Sequence, residues 1–357
     1  MNKKTFISRS VLNGFVWIAA LLFIGYLFRQ AQKMIILYPT RENIFLFGFI
    51  FFFIALFMLR WIIIKKGKQF FSSLYSVWKS VKAVITDNPD VKKFAAKHSS
   101  LFKFIKERLN KDEFWGLPAT LLIVGFIYAL FLLGGIVEDV IASDIIVSVD
   151  ARVMNFFALF RSANLTQFFL WVALLGKWQV VSCFIVAVIG VLWARRKRLY
   201  IFPLLLTVIG AEIFTAISKI IFHRPRPELG IYTERSFSFP SGHSTIAVAF
   251  YGFLAYMLIR DFKRWEMKVN IFFTAVAVIL LIGFSRLYLG AHYVSDVWGG
   301  YLVGTLWLII GISISEWICS RKGNIKFILT TRRKLVVSAV LILLFGSCVL
   351  IGLNYHL

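Results

Sequence analysis

Long apolar runs, separated by shorter polar segments, make up most of the chain. Each run is close to the ~20 residues that an α-helix needs to cross the apolar core of a bilayer. The pattern predicts an all-α, polytopic membrane helical bundle with about nine transmembrane helices. The predicted spans lie at about 11–28, 43–64, 117–137, 178–194, 199–218, 244–259, 269–285, 297–318 and 335–353.

Three polar stretches between these runs differ in character. Residues 65–115 are rich in lysine, yet Phe70, Phe71 and Leu74 recur at helical spacing. This indicates amphipathic helices, broken near Asn88, that either lie on the membrane surface or form a soluble hairpin packed on the spans. Residues 138–165 are predicted to form a mildly acidic outer loop, and Lys177 to mark the outer membrane boundary.

The composition excludes a soluble protein, because 59% of the residues are hydrophobic and only 16% are charged. The net charge of +24 could indicate nucleic-acid binding. However, most lysines and arginines fall in clusters between the predicted spans, at 1–10, 60–115, 195–198, 260–268 and 321–334. This is the positive-inside pattern, so we expect a cytoplasmic N-terminus, basic loops that face anionic phospholipids, and no nucleic-acid partner.

The cysteines and the N-terminus change this picture little. Cys183, Cys319 and Cys348 lie in or beside apolar runs, without the spacing of metal ligands or of a disulfide framework. The first apolar run follows basic residues, as in a signal peptide. Because it is long and lacks a small-residue cleavage site, we predict that it is a retained span.

The first block of candidate functional residues follows the fifth predicted span. It contains Lys219 and, after six residues, Arg226 and a proline; a competing Arg-Pro pair begins at Arg224. The two prolines favour extended backbone at both arginines, so their guanidinium groups would project from a stiff segment. The alternative is an ordinary basic helix cap, but such a cap is typical of the cytoplasmic face.

The second block, 239–243, reads Phe-Pro-Ser-Gly-His and directly precedes the sixth predicted span. A turn that leads into a helix presents free N–H groups at the positive end of the helix dipole, where anions bind. Gly242 permits close approach of the backbone to a ligand. His243 comes next and is a candidate proton donor.

The third block lies between the seventh and eighth predicted spans and contains Arg286, His292 and Asp296. His292 and Asp296 are four residues apart and would share one face of a helical turn. The carboxylate could then hold one imidazole nitrogen and leave the other as a nucleophile. Arg286 offers a planar set of donors that suits a phosphate. The alternative is a snorkelling arginine and a buried, hydrogen-bonded histidine.

The order of the spans brings the three blocks together. No predicted span separates the first block from the second, and two spans separate the second from the third. All three blocks therefore emerge on one side of the membrane, opposite the basic loops. We expect them to form one anion-binding site with two histidines.

The sequences 219–227, 240–243 and 285–296, in this order, resemble the three motifs of the type 2 phosphatidic acid phosphatase superfamily. The resemblance covers roughly 116–320 and implies a six-helix phosphatase core within that segment. Residues 1–115 would then be an N-terminal membrane module, and 321–357 would contain an additional C-terminal span.

The resemblance also implies roles for single residues. It assigns the binding of the phosphoryl oxygens to Lys219, Arg226, Ser241, Gly242 and Arg286. It assigns the nucleophile that forms a phosphohistidine to His292, the orientation of that histidine to Asp296, and protonation of the leaving oxygen to His243. It implies no metal ion and no cofactor.

From these inferences we expect a lipid phosphate or diphosphate phosphatase at the outer leaflet of a bacterial inner membrane. The resemblance suggests undecaprenyl diphosphate, phosphatidylglycerophosphate, phosphatidic acid and lipid A phosphates as candidate substrates. The predicted span 244–259 is only about 24 Å long, against an apolar core of about 30 Å, which places His243 near headgroup depth and favours a lipid.

Three alternatives remain at this point. A lipid phosphotransferase would use the same phosphohistidine, and a vanadate-dependent haloperoxidase would use the same anion site in a soluble fold, against which the predicted spans argue. A non-enzymatic lipid transporter or scaffold is the third. The sequence determines neither the lipid nor the oligomeric state.

Overall fold

A computed structural model of the chain describes residues 41–110, 113–142, 145–232 and 234–322. Every regular element in these ranges is helical, which confirms the predicted all-α class. The predicted spans at 11–28 and 335–353 lie outside the described residues. The contacts divide the chain into two units, Met1–Ala55 and Leu56–Leu357, and the candidate site belongs to the second.

The first four helices cover the segment before the predicted phosphatase core. Helix α1 spans Arg41–Ile62 and continues through a π-helical turn, Ile63–Gly67, into α2, Lys68–Asp87. Helices α3 and α4 follow at Pro89–Lys97 and Ser99–Arg108. The Asn88 side chain accepts a hydrogen bond from the Asp90 N–H at 2.8 Å and caps α3, whose first residue is a proline. The predicted break near Asn88 is therefore confirmed.

The remaining helices lie in the segment that the sequence predicts to be the phosphatase core. Their bounds are α5 Leu117–Ala142, α6 Ile145–Leu159, α7 Ala163–Leu174, α8 Trp178–Ala194, α9 Ile201–Phe222, α10 Gly242–Ile246, α11 Phe253–Asp261, α12 Trp265–Tyr288 and α13 Val294–Lys322. A 3₁₀ turn, Arg198–Tyr200, precedes α9. A π-helical turn, Ala247–Gly252, joins α10 to α11.

Six helical stretches in the described ranges are long and apolar enough to cross a membrane. They are Phe45–Val81, Leu117–Ala142, Arg198–Phe222, Gly242–Asp261, Trp265–Tyr288 and Val294–Arg321. Helices α7 and α8 would make a seventh span if the pair, bent by 44°, counts as one. The polytopic helical architecture is thus confirmed, whereas the total of about nine spans stays a prediction.

The prediction of an outer loop at 138–165 is wrong. Helix α5 continues to Ala142, and α6 and the start of α7 occupy most of the remainder. Helix α6 packs against α12 and α13, and the buried ring of Phe157 lies 5.2 Å from that of Phe284. Phe157 therefore makes a contact within the helical core.

The predicted length of the span at His243 also needs correction. The span that contains it begins at Gly242 and ends at Asp261, a length of 20 residues. At 1.5 Å per residue it measures about 30 Å, which matches the apolar core. The argument that a short helix holds His243 below the surface therefore fails.

Glycines on α13 bring this helix close to α10. A Cβ atom at Gly300 would lie 2.5 Å from the Ser241 carbonyl oxygen, and one at Gly304 would lie 2.6 Å from the Thr245 carbonyl oxygen. Such distances are too short for any side chain, so glycine is what permits the contact. The close packing places the first turn of α10 beside the first turn of α13.

Candidate active site

The ends of four helices meet at one end of the bundle. The C-terminal ends of α9 and α12 and the N-terminal ends of α10 and α13 carry the three sequence blocks. The Ser241 N–H donates to the Asp296 carbonyl at 2.9 Å, which joins the second block to the third. The Ile231 N–H donates to the Leu289 carbonyl at 3.0 Å, which ties the loop after the first block to the same place. The structure therefore brings the three blocks together, as the order of the spans predicts.

His292 lies between a carboxylate and a guanidinium. Its Nδ1 is 3.5 Å from Asp296 Oδ2 and makes no hydrogen bond among the described residues. Its Nε2 lies 3.3 Å from Arg226 Nη1. His292 precedes α13, so the pair does not share a helical turn as predicted. The carboxylate is nevertheless beside Nδ1, and Nε2 faces the cationic residues.

The position of His292 affects its protonation. The side chain is only 2% exposed. Burial, together with the positive charges of Arg286 and Arg226, lowers the pKa of His292 well below its ordinary value. The imidazole is therefore neutral at physiological pH, which is the form that has a free lone pair.

Three cationic side chains surround this imidazole. Arg226 donates from Nε to the Ser236 carbonyl at 2.6 Å and from Nη1 to the Ala291 carbonyl at 2.8 Å. Lys219 donates from Nζ to the Ser236 hydroxyl at 3.1 Å. Arg286 is almost completely buried and donates from Nη1 to the Tyr232 hydroxyl. These bonds hold the cations at fixed positions around one point.

Glu234 occupies the space between the two arginines, and sequence reasoning missed it. Its Oε2 lies 2.5 Å from Arg226 Nη2, and its Oε1 accepts from Arg286 Nη2 at 2.5 Å. Burial opposes ionisation of this carboxyl, but the charges of Arg286 and Arg226 prevail and lower its pKa to about 2. A carboxylate thus bridges the two guanidinium groups in the way that two oxygens of another anion could.

The two Arg-Pro registers of the first block have different partners. Arg226 faces His292, whereas Arg224 donates to Asp296 Oδ1 at 2.5 Å and to Asp150 Oδ2 at 2.7 Å. Asp150 is 1% exposed and also accepts from the Ser295 N–H at 3.0 Å. Asp150 was missed because 138–165 was interpreted as a loop. The sequence around a single aspartate does not indicate a hydrogen-bond partner that is distant in the sequence.

Ser241 and Gly242 form the start of α10. Ser241 is fully buried, its N–H is bound to the Asp296 carbonyl, and its hydroxyl oxygen accepts from the Ser244 hydroxyl at 3.2 Å. A Cβ atom at Gly242 would meet no atom closer than Thr215 Cγ2, at 3.8 Å. Packing therefore does not require glycine at 242, and the close approach of a ligand to this position stays a prediction.

His243 lines a cavity of about 330 Å³ that opens beside these cations. Arg286, Glu234 and Tyr232 also line this cavity. Within the residues that the structure describes, no group of three or more His, Cys, Asp or Glu side chains is placed to hold a metal ion.

Comparison with known proteins gives concordant matches. The PAP2 superfamily matches residues 200–319. Phosphatidylglycerophosphatase B of Bacillus subtilis (strain 168) is 31% identical over 181 residues, which are 50% of this chain and 89% of that protein. Lipid phosphate phosphatase delta of Arabidopsis thaliana is 28% identical over 97 residues, which are 26% of this chain and 23% of that protein.

Among solved structures, a transmembrane PAP2-type phosphatidylglycerolphosphate phosphatase from Bacillus subtilis is similar. It shares 26% sequence identity with this chain at a TM-score of 0.49, and the match covers 57% of this chain and 98% of that one.

Proposed function

The chain belongs to the PAP2 superfamily and is a multi-pass membrane phosphatase, and we propose that it removes phosphate from a lipid through a phosphohistidine at His292. Phosphatidylglycerophosphatase B matches over most of its length. This similarity favours phosphatidylglycerophosphate over the other candidate substrates, which are undecaprenyl diphosphate, phosphatidic acid and lipid A phosphates.

The observation that carries the proposal is the position of His292 Nε2 against the arginines. Nε2 lies 3.3 Å from Arg226 Nη1, and a carboxylate bridges Arg226 and Arg286. A phosphoryl group in place of that carboxylate would have its oxygens on the two guanidinium groups and its phosphorus toward Nε2. Preorganised cations of this kind stabilise the charge that builds up on the phosphoryl oxygens in the transition state.

The first half of the proposed reaction transfers the phosphoryl group to the enzyme. Nε2 of His292 attacks phosphorus with its lone pair, and the bond between phosphorus and the leaving oxygen breaks. His243 gives its proton to that oxygen, which leaves as the hydroxyl group of an alcohol, or as part of a lipid monophosphate when the substrate is a diphosphate. Asp296, beside Nδ1, stabilises the positive charge of the phosphorylated imidazole. Lys219, Arg226 and Arg286 bind the phosphoryl oxygens, with the Ser241 hydroxyl and the Gly242 N–H.

The second half releases phosphate. A water molecule attacks phosphorus, His243 takes a proton from it, and the bond between phosphorus and Nε2 breaks. His292 returns to its neutral form and inorganic phosphate leaves. Because side-chain cations provide the charge stabilisation, the proposed reaction needs neither a metal ion nor another cofactor.

The location of the site follows from the charge pattern. By the order of the predicted spans, the clusters of basic residues lie on one side of the membrane and the three blocks lie on the other. The positive-inside rule therefore places the site at the outer leaflet, with the N-terminus in the cytoplasm. For a bacterial protein the outer leaflet faces the periplasm.

The test is phosphate release by the purified protein in detergent from a panel of the four candidate lipids. We expect release in the presence of EDTA, inhibition by vanadate, and no release by His292→Ala. His98→Ala is the matched control, because His98 is an exposed histidine between α3 and α4, far along the chain from the site. Transfer of phosphate to an added lipid acceptor instead of water would identify a phosphotransferase. Activity that EDTA abolishes and magnesium restores would contradict the mechanism.

A further inference from the structure

The cavity beside His243 has two chemically different walls. One wall consists of the site residues His243, Arg286, Glu234 and Tyr232. The other wall is formed by the end of α7 and the start of α8, and its residues are Leu170, Ala173, Leu174, Lys177 and Trp178. Lys177 is the only charged residue of this second wall.

The bend between α7 and α8 places Lys177 next to the leaving-group side of the site. A Cβ atom at Gly176 would lie 3.2 Å from both Cβ and Cδ2 of His243 and 2.7 Å from Ile282 Cγ2. The backbone at Gly176 therefore packs directly on the histidine, and only glycine fits there. Lys177 is the next residue, half-buried, and it precedes the first residue of α8.

The position of His243 determines what part of a substrate enters this cavity. Under the proposed function, on which this step rests, His243 protonates the leaving oxygen. The group attached to that oxygen must therefore extend from His243 into the adjoining space. Leu170, Leu174 and Trp178 suit the apolar part of a lipid, whereas the ammonium of Lys177 suits an anion.

We propose that Lys177 binds a second anionic group, located in the leaving part of the substrate. The three cations around His292 serve the phosphoryl group that is transferred, and Lys177 stands on the other wall of the cavity. The favoured substrates would be lipid phosphates whose leaving group contains a phosphodiester or another phosphate. Lys177 is then a specificity-determining residue that discriminates between lipids with the same scissile phosphate.

The experiment compares two lipids with identical acyl chains. In phosphatidylglycerophosphate the leaving group is an anionic phosphodiester, and in phosphatidic acid it is a neutral diacylglycerol. The full-length purified protein, Lys177→Gln, Lys177→Arg and Arg152→Gln are assayed for kcat and KM with both lipids. Arg152 is an exposed cation on α6 and serves as the matched control for loss of one positive charge.

The quantity compared is the ratio of kcat/KM for phosphatidylglycerophosphate to kcat/KM for phosphatidic acid. In Lys177→Gln we expect this ratio to fall about tenfold, because a partly desolvated charge pair is lost. The change should come mainly from a higher KM for phosphatidylglycerophosphate. Lys177→Arg should retain most of the ratio, and Arg152→Gln should leave it unchanged. An unchanged ratio in Lys177→Gln, or a ratio that falls equally in Arg152→Gln, would overturn the role of Lys177. If the wild type releases phosphate from none of the four candidate lipids, the proposed function itself fails, whereas release only from lipids other than these two would overturn the preference for phosphatidylglycerophosphate.

Discussion

The guanidinium group of Arg224 donates to the Asp296 carboxylate at 2.5 Å, and its other terminal nitrogen donates to Asp150 at 2.7 Å. This contact fixes Oδ1 of Asp296, while Oδ2 accepts from the Tyr293 N–H at 2.9 Å and lies beside His292. Arg224 thus determines where the carboxylate stands relative to the imidazole. We infer that it is a positioning residue, although it belongs to the same short segment as Arg226, the proposed phosphate ligand.

The first prediction concerns this positioning. In Arg224→Lys the positive charge remains, but an ammonium group cannot bind two carboxylates in the fixed geometry of a guanidinium. We expect kcat to fall by roughly 10²-fold, because small displacements of catalytic groups have effects of this size. KM should change little, since the contacts to the phosphoryl group are intact. The measurement is steady-state phosphate release from the favoured lipid.

Arg235→Lys is the control for this prediction, because Arg235 lies in the same loop and is exposed. It should behave like the wild type. If Arg224→Lys instead raises KM at constant kcat, Arg224 contacts the substrate directly and the positioning role is wrong.

The partners of Arg224 show where sequence reasoning reaches its limit. The sequence predicts that Arg226, His292 and Asp296 lie close together. The motifs are recognised by their local spacing, and the order of the spans places them on the same side of the membrane. Asp150 has no such signal, since its partner Ser295 is 145 positions away. Only the packing of α6 against α13 brings the two together. Long-range pairing of this kind is determined by tertiary contacts and leaves no periodicity in the sequence.

Glu234 is a second example, and it leads to the second prediction. A phosphoryl group must displace its carboxylate from Arg226 and Arg286. Glu234→Gln removes the competing charge, so we expect vanadate, which mimics phosphate, to inhibit this variant at about tenfold lower concentration. The measurement is the inhibition constant for vanadate, determined for phosphate release from the favoured lipid.

Glu228→Gln is the matched control, because Glu228 is an exposed carboxylate of the same loop. Its inhibition constant should equal that of the wild type. Weaker inhibition of Glu234→Gln than of the wild type would mean that Glu234 holds the arginines in place for the ligand and does not compete with it.

The third prediction concerns the pH dependence of the reaction. Burial and the charges of Arg286 and Arg226 lower the pKa of His292, so its neutral form persists below the ordinary value of about 6.5. In the proposed mechanism activity depends on this form, and the acid limb of kcat/KM should therefore lie below pH 6.5. The profile is measured with the favoured lipid and corrected for the second ionisation of its phosphate.

The pH profile of Glu234→Gln, measured in the same way, tests whether His292 is the titrating group. The negative charge of Glu234 raises the pKa of His292, so its removal in Glu234→Gln should move the acid limb to still lower pH. A limb that moves to higher pH in that variant would show that the titrating group is not His292.

The length of the helix at the site is a point where the structure differs directly from the prediction. The predicted span 244–259 omitted Gly242 and His243 because polar residues and glycine reduce the local hydropathy. In the structure both residues belong to the helix, which starts with Ser241 as its N-terminal cap. Hydropathy locates the apolar centre of such a helix well, but a functional helix end contains the polar residues that hydropathy excludes.

The last prediction separates the roles of the two histidines. If His292 is the nucleophile, His292→Ala can form no covalent intermediate with any substrate. If His243 is the general acid, His243→Ala should slow expulsion of a poor alkoxide leaving group by roughly 10²–10⁴-fold. The leaving group of an activated substrate such as a nitrophenyl phosphate needs less protonation, so the rate with this substrate should fall less in His243→Ala. The activity of Asp296→Asn should lie between the activities of His292→Ala and His243→Ala, because asparagine retains the shape of the side chain but weakens the charge stabilisation of the imidazole.

The measurement is acid-quench labelling with a ³²P-labelled activated substrate. A phosphohistidine is labile in acid and stable in base, so the quench must be brief and the stability of the label identifies its chemistry. We expect label in the wild type and in His243→Ala, and none in His292→Ala. Label in His292→Ala but not in His243→Ala would exchange the two roles. The absence of label from the wild type, together with phosphate release, would favour direct attack by water, because Arg226 and Arg286 could bind the phosphoryl group in that reaction as well.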